Sequence, residues 1–166
     1  MLEPPQVEGC KIWKVFMYRK ILVPLDRSRR AEAILPHVED LALKYKAQVI
    51  FMKVIVPPFT AAPTRKSVEK QQKDFQLQEK RARDYLAERQ YLFREKGIDA
   101  VTRVAHGPVV EEIFATAERE GVDLIAIASH GRGGLSRAFY GSVTAALLQR
   151  IDRPLLLIRS QSVQAK

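Results

Sequence analysis

Short apolar runs alternate with longer amphipathic stretches from residue 20 to residue 158, and this alternation restricts the chain to one class of architecture. Lys20-Ile21-Leu22-Val23-Pro24 reads as a buried strand closed by proline. Ser28 stands where it can cap a helix whose apolar positions Ala31, Ile34, Leu35, Val38, Leu41 and Ala42 recur at three- and four-residue spacing. Pro36, inside that pattern, is expected to kink or divide the helix. Gln48 to Val56 is a run of strand formers stopped by Pro57-Pro58, and a loop rich in proline, threonine, alanine and basic residues follows to about Arg65. Ser67 to Lys96 is the longest helical stretch. Its expected inward residues are Val68, Phe75, Leu77, Ala82, Tyr85, Leu86, Leu92 and Phe93, and Gly97 is its stop.

The second half keeps the rhythm. Asp99 to Val104 reads as a strand, Gly107-Pro108 opens a helix through Arg119, and Gly121 ends it. Leu124 to Ala128 is another buried strand, followed by a turn region from Ser129 to Tyr140. Gly141 to Arg150 is a short helix and Pro154 to Ile158 the last strand. Five strands alternating with four helices imply a parallel sheet covered on both faces. Right-handed crossovers make a doubly wound sheet the leading architecture. Its natural ligand site lies beyond the carboxyl ends of the strands, which gathers Pro24, Leu25 and Asp26 with Val54 and the segment from Ala128 onward.

A chain of 166 residues suits one domain with a single well-developed core. Residues 1–16 fall outside the repeating pattern as an N-terminal extension, 17–160 form the domain, and 161–166 are a tail. Met17 would itself make a normal start, so the extension is either an appendage or precedes the true beginning of the protein. Cys10 is the one cysteine, and the simplest setting for it is reducing. No run approaches the roughly 18 apolar residues that span a bilayer, and the N-terminus lacks the basic start of a signal peptide, so a cytoplasmic location is expected. The net charge of +9 is largely diffuse. Arg65 to Lys96 holds ten basic and six acidic residues interleaved at helical spacing, the pattern of a solvated helix face. A nucleic-acid partner is therefore not expected, whereas the basic field favours a small anionic ligand.

The segment from Ile127 to Thr144 carries the chemistry. It runs from a strand end through Ala128, Ser129, His130, Gly131, Arg132 and two further glycines to Gly141-Ser142-Val143-Thr144 at a helix start. Glycines admit close backbone approach, and a helix N-terminus offers unpaired N–H groups and the positive end of a dipole. Ser142 and Thr144 add hydroxyls and Arg132 a charge. The bland reading, in which the glycines merely turn the chain and Ser142 merely caps, has about equal weight on these residues alone. The segment is not a Walker loop, because no glycine is followed by Lys-Ser or Lys-Thr at the required spacing. Asp26 suits two roles: accepting ribose hydroxyls, or capping the next helix. The ribose role is favoured because Ser28 is available as the cap. His37, His106 and His130 do not stand at metal-ligand spacing, and no nucleophile elbow or Cys/His pair is present. No metal site and no catalytic residue is expected, and the chain is read as a binding protein rather than an enzyme.

Ala128-Ser-His-Gly131, nine intervening residues and then Gly141-Ser142 resemble the signature of the universal stress protein family. Arg19 to Asp26 resembles that family's opening strand, and Gly107 to Ile113 with Val122 to Ile125 its third-helix and fourth-strand region. The likeness runs from about Met17 to Arg159. It implies a five-stranded parallel sheet in the order 3-2-1-4-5, a Rossmann-like three-layer sandwich of the adenine nucleotide alpha hydrolase type. It also implies that Pro24, Leu25 and Asp26 frame the ribose and base with Val54 beside the base, and that Ile127, Ala128 and His130 adjoin the nucleotide. Gly131, Arg132, Gly141, Ser142, Val143 and Thr144 then cradle the phosphates. The implied ligand is ATP, with ADP or AMP as alternatives and Mg2+ as a companion of the phosphates. The implied role is a stress-response regulatory module with slow ATP hydrolysis at most, and the implied partner a second copy docked through Leu155 to Ile158. Ala128 in place of the first signature glycine, and Leu25 where a small or polar residue is frequent, are departures. They leave room for an alternative, a dimeric protein-interaction module with a non-functional pocket.

Overall fold

A computed structural model describes residues 18–57, 65–131 and 141–161 of the chain. Its strands are β1 (Lys20–Pro24), β2 (Gln48–Ile55), β3 (Ala100–His106), β4 (Leu124–Gly131) and β5 (Leu155–Gln161). Its helices are α1 (Leu35–Tyr45), α2 (Arg65–Glu95), α3 (Val109–Glu120) and α4 (Gly141–Arg150). The strands form one sheet in the order β3-β2-β1-β4-β5, and every pairing is parallel. The expected doubly wound topology is the observed one. Strand order reverses between β1 and β4, so the sheet's crevice opens beyond the carboxyl ends of those two strands.

The strands look uniformly apolar because each is buried on both faces. Successive side chains point to opposite sides of a strand, so the apolar runs divide between two cores. Ile21, Val23, Val49, Phe51 and Ala126 pack with Ile34, Val38, Leu86 and Phe93 under α1 and α2. Leu22, Ile50, Met52, Ile125 and Ile127 pack with Ile113, Ala117 and Leu147 under α3 and α4. Phe51 and Phe93 meet edge to face with ring centroids 4.9 Å apart, which fixes the carboxyl half of α2 against the sheet.

Pro36 divides the first helix as expected. A 3-10 turn over Ala31–Ile34 precedes α1, and Pro36 falls in the first turn of α1, where its missing N–H costs no hydrogen bond. Ser28 caps the 3-10 turn, its Oγ accepting the Ala31 N–H at 3.1 Å.

Three expectations need correction. Ser129, His130 and Gly131 are not a turn: β4 runs straight through them, paired with Arg159, Ser160 and Gln161 of a correspondingly longer β5. Buried hydroxyls secure this extension. Ser160 Oγ donates to the Ser129 carbonyl at 2.8 Å, and Ser129 Oγ donates to the Ile158 carbonyl at 3.3 Å. Likewise, β3 runs through His106 rather than ending at Val104. Leu77 and Leu92, expected inward, are 46% and 42% exposed. The buried stripe of α2 is narrow, following Ala82, Leu86 and Phe93, and both leucines lie off that line. Val68 and Arg132 lie outside the residues whose side chains are described.

α2 is longer than the sheet it covers. At 1.5 Å per residue its 31 residues span about 46 Å, against about 26 Å for the eight residues of β2. Its carboxyl end is held at the start of β3, where Gln90 Nε2 and Arg94 Nε both donate to the Ala100 carbonyl. Its Phe75 ring lies 5.0 Å from that of His106, the last residue of β3. The helix residues before Phe75 therefore project past the carboxyl edge of the sheet, beside the crevice.

Candidate functional site

A cavity of about 300 Å³ occupies the crevice. β1 and the turn after it contribute Pro24, Leu25, Asp26 and Ala31; β2 contributes Met52, Lys53 and Val54. β4 adds Ile127 and Ala128, and the first turn of α4 adds Ser142, Val143 and Thr144. Val109 and Ile113 of α3 close one side. The structure thus brings together the predicted residues from β1, β2, β4 and α4 in one place. His130 and Gly131 continue β4 beyond Ala128, and Gly141 is the first residue of α4; the surroundings of these three lie outside what the structure describes.

Local chemistry explains how the first strand presents its carboxylate. The Leu25 N–H donates to the Met52 carbonyl at 2.8 Å, carrying the β1–β2 ladder one residue past β1 while the Leu25 side chain, 3% exposed, enters the core. The chain then leaves the sheet through an Asx turn: Asp26 Oδ1 accepts the Ser28 N–H at 2.8 Å, with Arg27 between them at φ 74°. Asp26 therefore takes part of the capping role and Ser28 the rest. Burial pushes the Asp26 carboxyl up, but hydrogen bonds from Ser28, together with the positive charge of Lys53, outweigh it and hold the group below the usual carboxylate range. Asp26 is a stable anion at the cavity edge.

Lys53 is the one cation among the described residues that line this cavity. Its Nζ donates to the Asp26 carbonyl at 3.4 Å. Burial lowers its pKa, the Asp26 charge raises it, and the Arg27 charge lowers it further, so it sits below its ordinary value. On the opposite wall α4 points its amino end at the cavity. Ser142 is exposed and Thr144 is 7% exposed, and the first turn of a helix is where backbone N–H groups lack intrahelical partners, a feature suited to an anion. The floor is apolar, formed by Met52, Val54, Ile113 and Ile127.

Sequence reasoning missed Ala31, Met52, Lys53, Val109 and Ile113. A signal for the last two was present: Gly107-Pro108 starts α3 at the same edge of the sheet as the strand ends, and Val109 and Ile113 lie one helical turn apart. Among the described residues no group of three or more His, Cys, Asp or Glu side chains is arranged to hold a metal ion, and no helix is long and apolar enough to cross a membrane.

Fold and cleft together define a doubly wound α/β protein with an open crevice at its topological switch point. Residues 17–159 match the model of the universal stress protein family, and the chain belongs to that family. It is 28% identical over 158 residues to universal stress protein MJ0577 of Methanocaldococcus jannaschii, a match covering 88% of this chain and 98% of that one. The solved structure of MJ0577 superposes with a TM-score of 0.75 at 29% identity, over 88% of this chain and 99% of that one. A universal stress protein in complex with cAMP has a TM-score of 0.63 at 18% identity, covering 87% of this chain and 99% of that one. One from Archaeoglobus fulgidus in complex with dAMP has a TM-score of 0.56 at 19% identity, covering 86% and 98%.

Proposed function

We propose that this protein is a regulatory module that holds an adenine nucleotide in the crevice, ATP in the first instance. The observation that carries the reading is the single cavity lined by Asp26, Val54 and the first turn of α4, which come from three elements of the chain. A volume of about 300 Å³ lies at the lower end of small-molecule sites. Met52, Val54 and Ile113 give an apolar surface for the base, Asp26 an acceptor for ribose hydroxyls, and the α4 first turn with Ser142 and Thr144 donors for phosphate. Mg2+ would be carried by the phosphates. The cAMP and dAMP complexes of proteins with the same fold support an adenine ligand.

The role we assign is binding rather than turnover. Asp26, the one carboxylate among the described cavity residues, is committed to the Ser28 turn and to neutralising Lys53. We also assign a homodimer through β5, a strand whose sole neighbour among the described strands is β4 and whose Leu155 to Ile158 are partly exposed.

Titration of the purified protein with ATP, alongside mass spectrometry of a denatured sample for co-purified nucleotide, tests the ligand. Saturable ATP binding that weakens in Asp26→Ala and Gly141→Val is the expected result. Equal, negligible binding by all three proteins would leave the alternative, an interaction module with a non-functional pocket.

A further inference from the structure

A second, larger cavity of about 580 Å³ lies against the first. The two share Asp26, Lys53, Val54 and Val109 as a common wall, so they are chambers of one cleft. The outer chamber is closed by Gln78 and Arg81, on the part of α2 that approaches the sheet's carboxyl edge, and by Arg27. Its charge is unbalanced. Among the described lining residues Arg27, Lys53 and Arg81 face a single carboxylate, Asp26, which already serves Lys53 and the Ser28 turn.

Two other cations of α2 are ion-paired, Arg83 with Glu79 and Arg89 with Glu32, as is Lys96, just past its end, with Glu39. Neither Arg27 nor Arg81 forms an ion pair among the described residues. Arg27 and Lys53 are close enough for the charge of one to lower the proton affinity of the other, an unfavourable juxtaposition that a bound anion would relieve. Arg27 also holds a left-handed backbone, φ 74°, which glycine would adopt without strain. A guanidinium is thus kept at the chamber mouth at a conformational cost.

Resting on the nucleotide reading above, we propose that the outer chamber is a second anion subsite. Its ligand is an adenine nucleotide bearing a further phosphoryl group on the ribose, separate from the 5′ chain. Asp26, the group assigned to the ribose, stands in the wall between the chambers, so a substituent on a ribose hydroxyl leaves the inner chamber there. Arg81 and Arg27 supply planar donors for its oxygens, and Lys53 offsets the Asp26 charge that would otherwise repel it.

Calorimetric titration of the full chain with AMP, adenosine 2′,5′-bisphosphate and adenosine 3′,5′-bisphosphate at low salt tests this. One bisphosphate is expected to bind about tenfold or more tightly than AMP, the worth of one or two charge-assisted hydrogen bonds. That ratio is expected to collapse toward one in Arg81→Gln and in Arg27→Gly, and to shrink with added salt. Arg27→Gly relieves the backbone, so its melting temperature should not fall, which separates lost recognition from lost fold. Binding of AMP with no preference for either bisphosphate, or a preference that survives both substitutions, overturns the subsite alone. Failure of every nucleotide to bind overturns the nucleotide reading and the subsite together.

Discussion

Asp26 does two jobs with two oxygens. Oδ1 closes the turn onto Ser28, and the carboxylate charge is set against Lys53 at the cavity edge. Asp26→Ala is expected to weaken ATP binding by about ten- to a hundredfold, the worth of a charge-assisted pair of ribose contacts. The same group predicts a pH effect. Its folded pKa lies below its unfolded value, so its stabilising contribution is complete above about pH 4 and disappears as pH falls through the lower, folded value. Asp26→Asn keeps the shape and acceptor of the turn, so its melting-temperature deficit should be measurable near pH 7 and smaller at a pH below about 4. An unchanged deficit at both pH values would assign the loss to shape instead of charge. The position of Asp26 was legible from the sequence as the carboxylate after the first strand. Its commitment to the turn was not, because an Asx turn and the proposed ribose contact call for the same residue type.

Elements were more legible than their ends. Strand and helix identities followed from period and punctuation, and so did the split at Pro36. β4 was cut short because Ser129, His130 and Gly131 are poor strand formers taken alone, and what extends them is pairing with β5 and two hydroxyl-to-carbonyl bonds. Leu77 and Leu92 misled because a long helix on a sheet buries only a narrow stripe, whereas apolar periodicity marks a broader one. Two predictions belong at this scale. Phe93→Ala removes the 4.9 Å partner of Phe51 and should cost about 3–5 kcal/mol in chemical denaturation. Gly107 holds φ 144°, and a Cβ there would stand 2.9 Å from Glu112 Oε1. Gly107→Ala should cost about 1–3 kcal/mol. Adding Glu112→Ala should recover only the crowding part, since the backbone strain remains.

For the whole molecule, the order β3-β2-β1-β4-β5 decides where a ligand sits and which edges remain open. The order followed from resemblance, and alternation alone indicated only a doubly wound sheet. The cleft could be foreseen at the carboxyl edge, but the part played by α2 could not, since its register against the sheet depends on contacts such as Phe51 with Phe93. If β5 joins two copies, sedimentation should show a dimer. Leu157→Pro, which removes a backbone donor from β5, should shift it toward monomer while Leu77→Lys on the exposed face of α2 should not. A monomer in the unaltered protein would end the proposal.

The overhang of α2 implies a gradient of local stability along one continuous helix. Around Phe93 its amides are anchored by buried rings and by donors to Ala100, while residues 69–74 carry exposed or half-exposed side chains beyond the sheet. Backbone hydrogen exchange should slow progressively from Glu69 toward Phe93, because opening the projecting turns sacrifices little buried surface. A phosphate gripped by Arg81 would pin the beam part-way along and carry slow exchange outward from that point. Occupancy of the cleft would then be readable as a change in stiffness at the far end of a helix that no ligand atom touches.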